Sequence, residues 1–165
     1  MRRWLPILFC LLLPPLRAGA TPPKWATFTL ATANLSDNVT QAYGAPGIRI
    51  VQALQPDVLA IQEYNYKLGT SKDLARRLFG PDCHFAREKG GARLPNGVMS
   101  RYPIVAFGQW EDPYVGNRSF FWATVQIPGP KPLHVVSVHL VQNHAERRLP
   151  EARHLLELIR KQFPE

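Results

Sequence analysis

The chain has 165 residues, 45% of them hydrophobic, and its 20 basic and 12 acidic side chains leave a formal net charge of +8. That apolar fraction excludes a disordered chain and suits one domain with its own core, while the lack of internal repeats or low-complexity tracts excludes solenoid and fibrous architectures. The positive balance favours polyanionic or phosphorylated partners through long-range attraction but does not identify any chemistry.

Residues 1–20 read as an export leader. Arg2 and Arg3 give a basic start, Leu5 to Leu13 form an apolar stretch broken by Pro6, and Ala18-Gly19-Ala20 offers a small-x-small cleavage pattern. The stretch is too short to span a bilayer, so the expectation is a secreted or periplasmic protein without a transmembrane anchor, its mature domain covering residues 21–165. Losing Arg2, Arg3 and Arg17 lowers the net charge from +8 to +5. Cys10 leaves with the leader, and Cys83 alone closes no internal disulfide.

The mature chain predicts an α/β (α+β) layout. A strand-like run from Thr27 ends on Asn34, and a polar loop leads to a short helix over Ile48–Leu54 halted by Pro56. A second strand run, Asp57 to Glu63, follows at once. Thr70 or Ser71 caps a helix through Leu78, with Gly80-Pro81 as its stop. Strand character then recurs over Cys83–Arg87, Gly97–Ser100, Ile104–Trp110, Ser119–Ile127 and Leu133–Leu140. The intervening Gly90-Gly91 and Pro128-Gly129-Pro130 turns favour antiparallel pairing. A last helix starts near Pro150 and gathers Ala152, Leu155, Leu156, Ile159 and Phe163 on one apolar face.

Three of these strand runs end on polar side chains that are costly to bury: Asn34, Glu63 and, in the run from Leu133, His139. An amide, a carboxylate and an imidazole at strand ends can converge in one cleft. An unpaired buried carboxylate costs several kcal/mol, so Glu63 needs a metal, a cation or a hydrogen-bond donor.

Four segments carry a family resemblance: Ala31-Thr32-Ala33-Asn34-Leu35; Pro56 to Glu63; Asn96-Gly97-Val98-Met99-Ser100-Arg101-Tyr102-Pro103-Ile104; and Val136-Ser137-Val138-His139-Leu140. In order and spacing they resemble the first four motifs of the endonuclease/exonuclease/phosphatase superfamily, whose fold is that of pancreatic deoxyribonuclease. The match runs from about Phe28 to Phe163, and Asn65-Tyr66 resembles an exported bacterial branch.

The resemblance implies a two-layer β-sandwich flanked by helices, truncated to about its first half. It also implies metal-assisted hydrolysis of a phosphoester by in-line attack of water. Glu63 is then the ligand of Mg²⁺ (or Mn²⁺ or Ca²⁺), and Asn34 orients its shell or a phosphate oxygen. His139 acts beside the scissile phosphate. Arg118 binds substrate phosphate, and Asn96 is a second phosphate contact or a turn residue. The implied partner is nucleic acid or another phosphodiester, such as an inositol phosphate or sphingomyelin; the alternatives are a phosphatase or a non-catalytic phosphate-binding relative. Export and basic charge favour nucleic acid, with Trp110, Tyr114, Phe120, Phe121 and Trp122 as base-stacking or core aromatics.

Arg101 reads as structural. His134, His144 and His154 lack zinc-site spacing, and Ser100 lacks a nucleophile elbow. The glycosylation patterns at Asn34, Asn38 and Asn117 read as chance, because two of them fall on the proposed site.

The superfamily's Gly-Asp-x-Asn and Ser-Asp-His motifs do not occur in the sequence. The expectation is therefore a fragment of a longer reading frame, a monomer when full-length; the other possibilities are completion by a second polypeptide and an inactive truncated relative. Taken alone, residues 21–165 are expected to be inactive and to expose one sheet face.

Overall fold

The computed structural model describes residues 27–164, so the leader expected over residues 1–20 lies outside the described residues. Ten elements follow in order: β1 (Leu30–Ala33), α1 (Ala45–Leu54), β2 (Val58–Ile61), α2 (Ser71–Phe79), β3 (His84–Arg87), β4 (Gly97–Ser100), β5 (Ile104–Trp110), β6 (Phe120–Val125), β7 (Leu133–Ser137) and α3 (Ala145–Gln162).

The strands form two sheets, ordered β1-β2-β4-β3 and β5-β6-β7. β1 and β2 are parallel because α1 forms the crossover between them; the other pairs are antiparallel. β2 is buried along its whole length, and side-chain alternation divides its residues between two cores. Leu59 and Ile61 pack with Met99 under α1 and α2. Val58 and Ala60 meet Phe121, Ala123, Val125 and Val135 of the other sheet. Each such large aliphatic side chain contributes roughly 1.5–3 kcal/mol by leaving water. The fold is the deoxyribonuclease-like sandwich with flanking helices.

Helix boundaries differ from expectation where proline misleads. α1 begins at Ala45 and not Ile48, since Pro46 sits in the first turn, where its missing N–H is no loss. α2 starts as expected, with Thr70 and Asp73 forming a reciprocal capping box. α3 begins five residues before Pro150, which lies inside the helix. Of the residues expected on its apolar face, Leu156 is half exposed, whereas Phe163, just past the helix end, packs against Trp110, Trp122 and His134; from within the helix, His154 packs against Phe120.

The inner faces pack on each other through Val58, Ala60 and Val98 against Phe121, Ala123, Val125 and Val135, α1 and α2 pack on the outer face of the four-stranded sheet, and α3 meets the three-stranded sheet where His154 touches Phe120; Leu30, Val105 and Phe107 stay about half exposed. Among the described residues, four strands, β1, β3, β5 and β7, are each paired on one side only.

Candidate active site

The strand runs stop short of the residues they were expected to carry, so that Asn34 lies one residue beyond β1, while Glu63 and His139 lie two residues beyond β2 and β7. Leaving the ladder frees their side chains to turn toward one another. Glu63 takes a left-handed backbone conformation (φ 52°), a strain on the order of 1 kcal/mol that turns the chain sharply out of β2. Asn65 stabilises that turn by donating from Nδ2 to the carbonyls of Gln41 and Arg93, both at 3.0 Å, and by accepting from the Tyr43 N–H at 2.9 Å.

The two sheets are pinned directly behind the site. Gln62 Nε2 donates to Ser137 Oγ at 3.0 Å, and that hydroxyl donates to the Ile61 carbonyl at 3.0 Å. All of these groups are buried, so the link fixes the end of β2 against the end of β7. Glu63 Oε1 consequently lies 3.8 Å from His139 Nδ1 and accepts from Asn34 Nδ2 at 3.4 Å. Ser36 Oγ donates to the other Glu63 oxygen.

Asn34, Glu63 and His139 are thus brought together, with Ser36 as an added member. They line a polar cavity of about 230 Å³ that also includes Asp37, whose oxygens are taken up by the Thr40 N–H and hydroxyl. No sequence signal marked Ser36 or Asp37, because their role depends on the loop folding back onto β2.

The His139 imidazole titrates below its ordinary value. Burial is the main cause and the neighbouring Arg118 charge adds to it, while Glu63 opposes the shift. Its Nδ1 is buried without a hydrogen-bond partner.

Arg118 is placed differently from a free phosphate donor. Its guanidinium donates through Nε to the His139 carbonyl, through Nη2 to the Leu140 carbonyl at 2.9 Å, and through Nη1 to Asn117 Oδ1 at 2.9 Å. Two of its five N–H groups remain for the cleft that it lines. Asn96 is not brought to the cleft. It is fully buried, donates from Nδ2 to the Ser119 carbonyl at 2.7 Å, and has its backbone N–H on Glu88 at 2.8 Å. Its bond to Ser119 makes it a support of the loop that carries Arg118, and its Oδ1 is buried without a hydrogen-bond partner.

A hard divalent cation takes oxygen ligands and keeps much of its water. The Glu63 carboxylate, Asn34 amide and Ser36 hydroxyl form such an all-oxygen set in one cavity and fit such an ion. Among the described residues no cluster of three or more His, Cys, Asp or Glu side chains gathers, so the charge on the ion would be met chiefly by Glu63. A larger cavity of about 560 Å³ continues past His139 and Arg118 to Arg93, Tyr114 and His144, a wall suited to an anion. Of the aromatic residues considered for stacking, Tyr114 lines this cleft, whereas Phe120 and Phe121 lie in the core and Trp110 and Trp122 pack with Phe163.

The model of the Endonuclease/Exonuclease/phosphatase family matches residues 31–164. No curated protein matches the chain in sequence. Among solved structures, the chain is similar to the 3' phosphatase NExo from Neisseria bound to product DNA hairpin (17% identity, TM-score 0.55, 82% of this chain and 52% of that one). It is also similar to truncated Caenorhabditis elegans TDP2 (12%, 0.56, 83% and 56%) and to a family protein from Leptotrichia buccalis (14%, 0.53, 79% and 61%). The chain spans about half the length of the first of these structures.

Proposed function

The chain belongs to the endonuclease/exonuclease/phosphatase family, and from that membership we propose that it serves as a phosphoester hydrolase whose substrate is a phosphodiester of nucleic acid. The observation that carries the reading is the meeting of Glu63 and His139, 3.8 Å apart, at the ends of strands from opposite sheets. Glu63, with Asn34, would hold Mg²⁺ or, in the same role, Mn²⁺ or Ca²⁺. When bound, such an ion supplies Lewis-acid polarisation of a phosphate oxygen.

His139 faces the cleft beside Glu63, where it steadies charge on the scissile phosphate or gives a proton to the leaving oxygen. Arg118 holds the His139 and Leu140 carbonyls and presents its remaining N–H groups to phosphate. Water attacks in line, so no nucleophilic side chain is required. A nucleic-acid substrate is supported by the basic charge, the Arg93, Arg118 and His144 wall, and Tyr114 within stacking reach of a base. Export is part of the proposal and rests on the pattern of residues 1–20.

The test is to incubate the intact protein in Mg²⁺ with plasmid DNA, RNA, an inositol phosphate and sphingomyelin vesicles, with and without chelator. Chelator-sensitive nicking of DNA or cleavage of RNA is expected. Turnover of only the inositol phosphate or the lipid would overturn the substrate class, and tight binding without turnover of any substrate would make the protein a phosphate-binding relative.

A further inference from the structure

The backbone that carries His139 is held by charged side chains from two separate elements. Arg118, on the loop between β5 and β6, donates to the His139 and Leu140 carbonyls. From α3, Arg148 donates to the Val141 carbonyl at 3.0 Å and the Gln142 carbonyl at 2.6 Å. One turn further along α3, Glu151 accepts the Val141 N–H on both carboxylate oxygens, at 2.9 and 3.0 Å. Four consecutive residues, 139 to 142, therefore have main-chain groups anchored by side chains.

Glu151 is the unusual member of this set. It is fully buried, the one buried residue of an otherwise half-covered helix. Its carboxyl group is within hydrogen-bonding reach of Asp112, which is buried too and accepts the Tyr114 N–H at 2.9 Å. Two acceptors cannot bond each other unless one carries a proton. The charged group that acts on the pair is Arg118, from the same loop as Asp112; Arg148 of α3 holds the neighbouring Val141 and Gln142 carbonyls, and Glu63 and Glu88 also act on Arg118.

We propose that Glu151 is a positioning residue for His139, and that one proton shared between Glu151 and Asp112 locks α3 to the loop that delivers Arg118. With the proton in place, the pair carries a single negative charge facing the Arg118 guanidinium, and the Val141 N–H bond and the Arg118 carbonyl bonds support one another. Loss of that proton puts two buried carboxylates in contact and loosens the segment on which His139 rides. Burial, the largest cause, with Asp112 beside it, pushes the Glu151 carboxyl up to about 7. The positioning role rests on the phosphoester-hydrolase reading only for what His139 does once placed.

The test needs no turnover. Amide NMR signals of Val141 and His139 are followed in the wild type and in Glu151→Ala, Glu151→Gln and Asp112→Asn, from about pH 5 to about pH 8. The wild-type Val141 signal should move with pH, and in Glu151→Gln and Asp112→Asn it should stay fixed. Glu151→Ala should displace the His139 signal, and Glu151→Gln, which keeps an acceptor for Val141, should restore it. A His139 signal unmoved in Glu151→Ala, or a Val141 titration that persists in both Glu151→Gln and Asp112→Asn, overturns the proposal. If Glu151→Ala fails to fold, the Glu151→Gln and Asp112→Asn titrations decide. A protein that meets these expectations without hydrolysing any phosphoester keeps the clamp and loses the hydrolase reading.

Discussion

His139 Nδ1 lies 3.8 Å from Glu63 Oε1, buried and without a hydrogen-bond partner. An imidazole nitrogen held this way beside a carboxylate is poised for a ligand or a proton, because desolvation without a partner is unfavourable in the resting protein. Burial and the Arg118 charge keep the ring neutral to lower pH than an ordinary histidine.

Arg118 therefore acts on His139 both as a charge and as a backbone clamp. Arg118→Met should raise the His139 pKa, since it removes a cation that disfavours imidazolium; ring titration by NMR that shows no rise would remove Arg118 from this role. Arg118→Lys keeps the charge but cannot span both the His139 and Leu140 carbonyls, and turnover should fall by roughly 10- to 100-fold.

The Gln62–Ser137 link should be costly to break. Ser137→Ala leaves the buried Gln62 amide without its 3.0 Å acceptor and the Ile61 carbonyl without its donor, so stability should drop by about 1–3 kcal/mol. Urea unfolding measures this, and a change below about 0.5 kcal/mol, the usual range for surface substitutions, would mean that the link is not maintained.

Stability should also carry a signature of the Glu151–Asp112 pair. Glu151 binds its proton more tightly folded than unfolded, its value rising from 4.5 to about 7, so its contribution is full below about pH 4.5 and is lost as pH climbs through 7. His139, depressed on folding, contributes the opposite trend below its ordinary value. The difference in unfolding free energy between wild type and Glu151→Gln isolates the first effect and should shrink or reverse between pH 5 and pH 7.5. A pH-independent difference would contradict it.

Gly97 has no room for a side chain. A β-carbon there would stand 2.5 Å from Tyr64 Cδ1 and 2.7 Å from the Ala86 carbonyl oxygen, which β3 holds in place. Gly97→Ala should destabilise the protein by about 1–3 kcal/mol, and an unchanged thermal midpoint would show that β3 and β4 yield more easily than packed strands do.

Much of this arrangement was legible before any coordinates. Apolar runs such as Val58 to Ile61 announce central strands, and the polar residues just beyond such runs, Asn34, Glu63 and His139, meet around one cavity, Glu63 and His139 partly buried and Asn34 exposed. Antiparallel pairing in the second half followed from its turns. The support of the site was not legible. Ser36 reaches Glu63 across 27 residues and Ser137 reaches Ile61 across 76, and no local pattern records contacts of that range. Glu151 looks like an ordinary charge on a helix facing solvent until Val141 is folded against it. Arg118 was read as a phosphate ligand and Asn96 as a phosphate contact or a turn residue, whereas tertiary packing commits three of the Arg118 N–H groups and the Asn96 Nδ2 to backbone and side-chain acceptors in the surrounding loops. The start of α3 was misplaced because Pro150 is also what a helix start looks like.

Phosphoester hydrolysis by the intact protein in Mg²⁺, compared among wild type, Glu63→Gln and His139→Ala, tests the central claim most directly. Glu63→Gln keeps shape and removes the charged ligand, so turnover should fall on the order of a hundredfold or more. His139→Ala should lose roughly 10²- to 10⁴-fold, as for one acid–base group. Both losses, together with abolition by chelator, are the predicted result; near-wild-type turnover in either variant would contradict an active site built on Glu63 and His139.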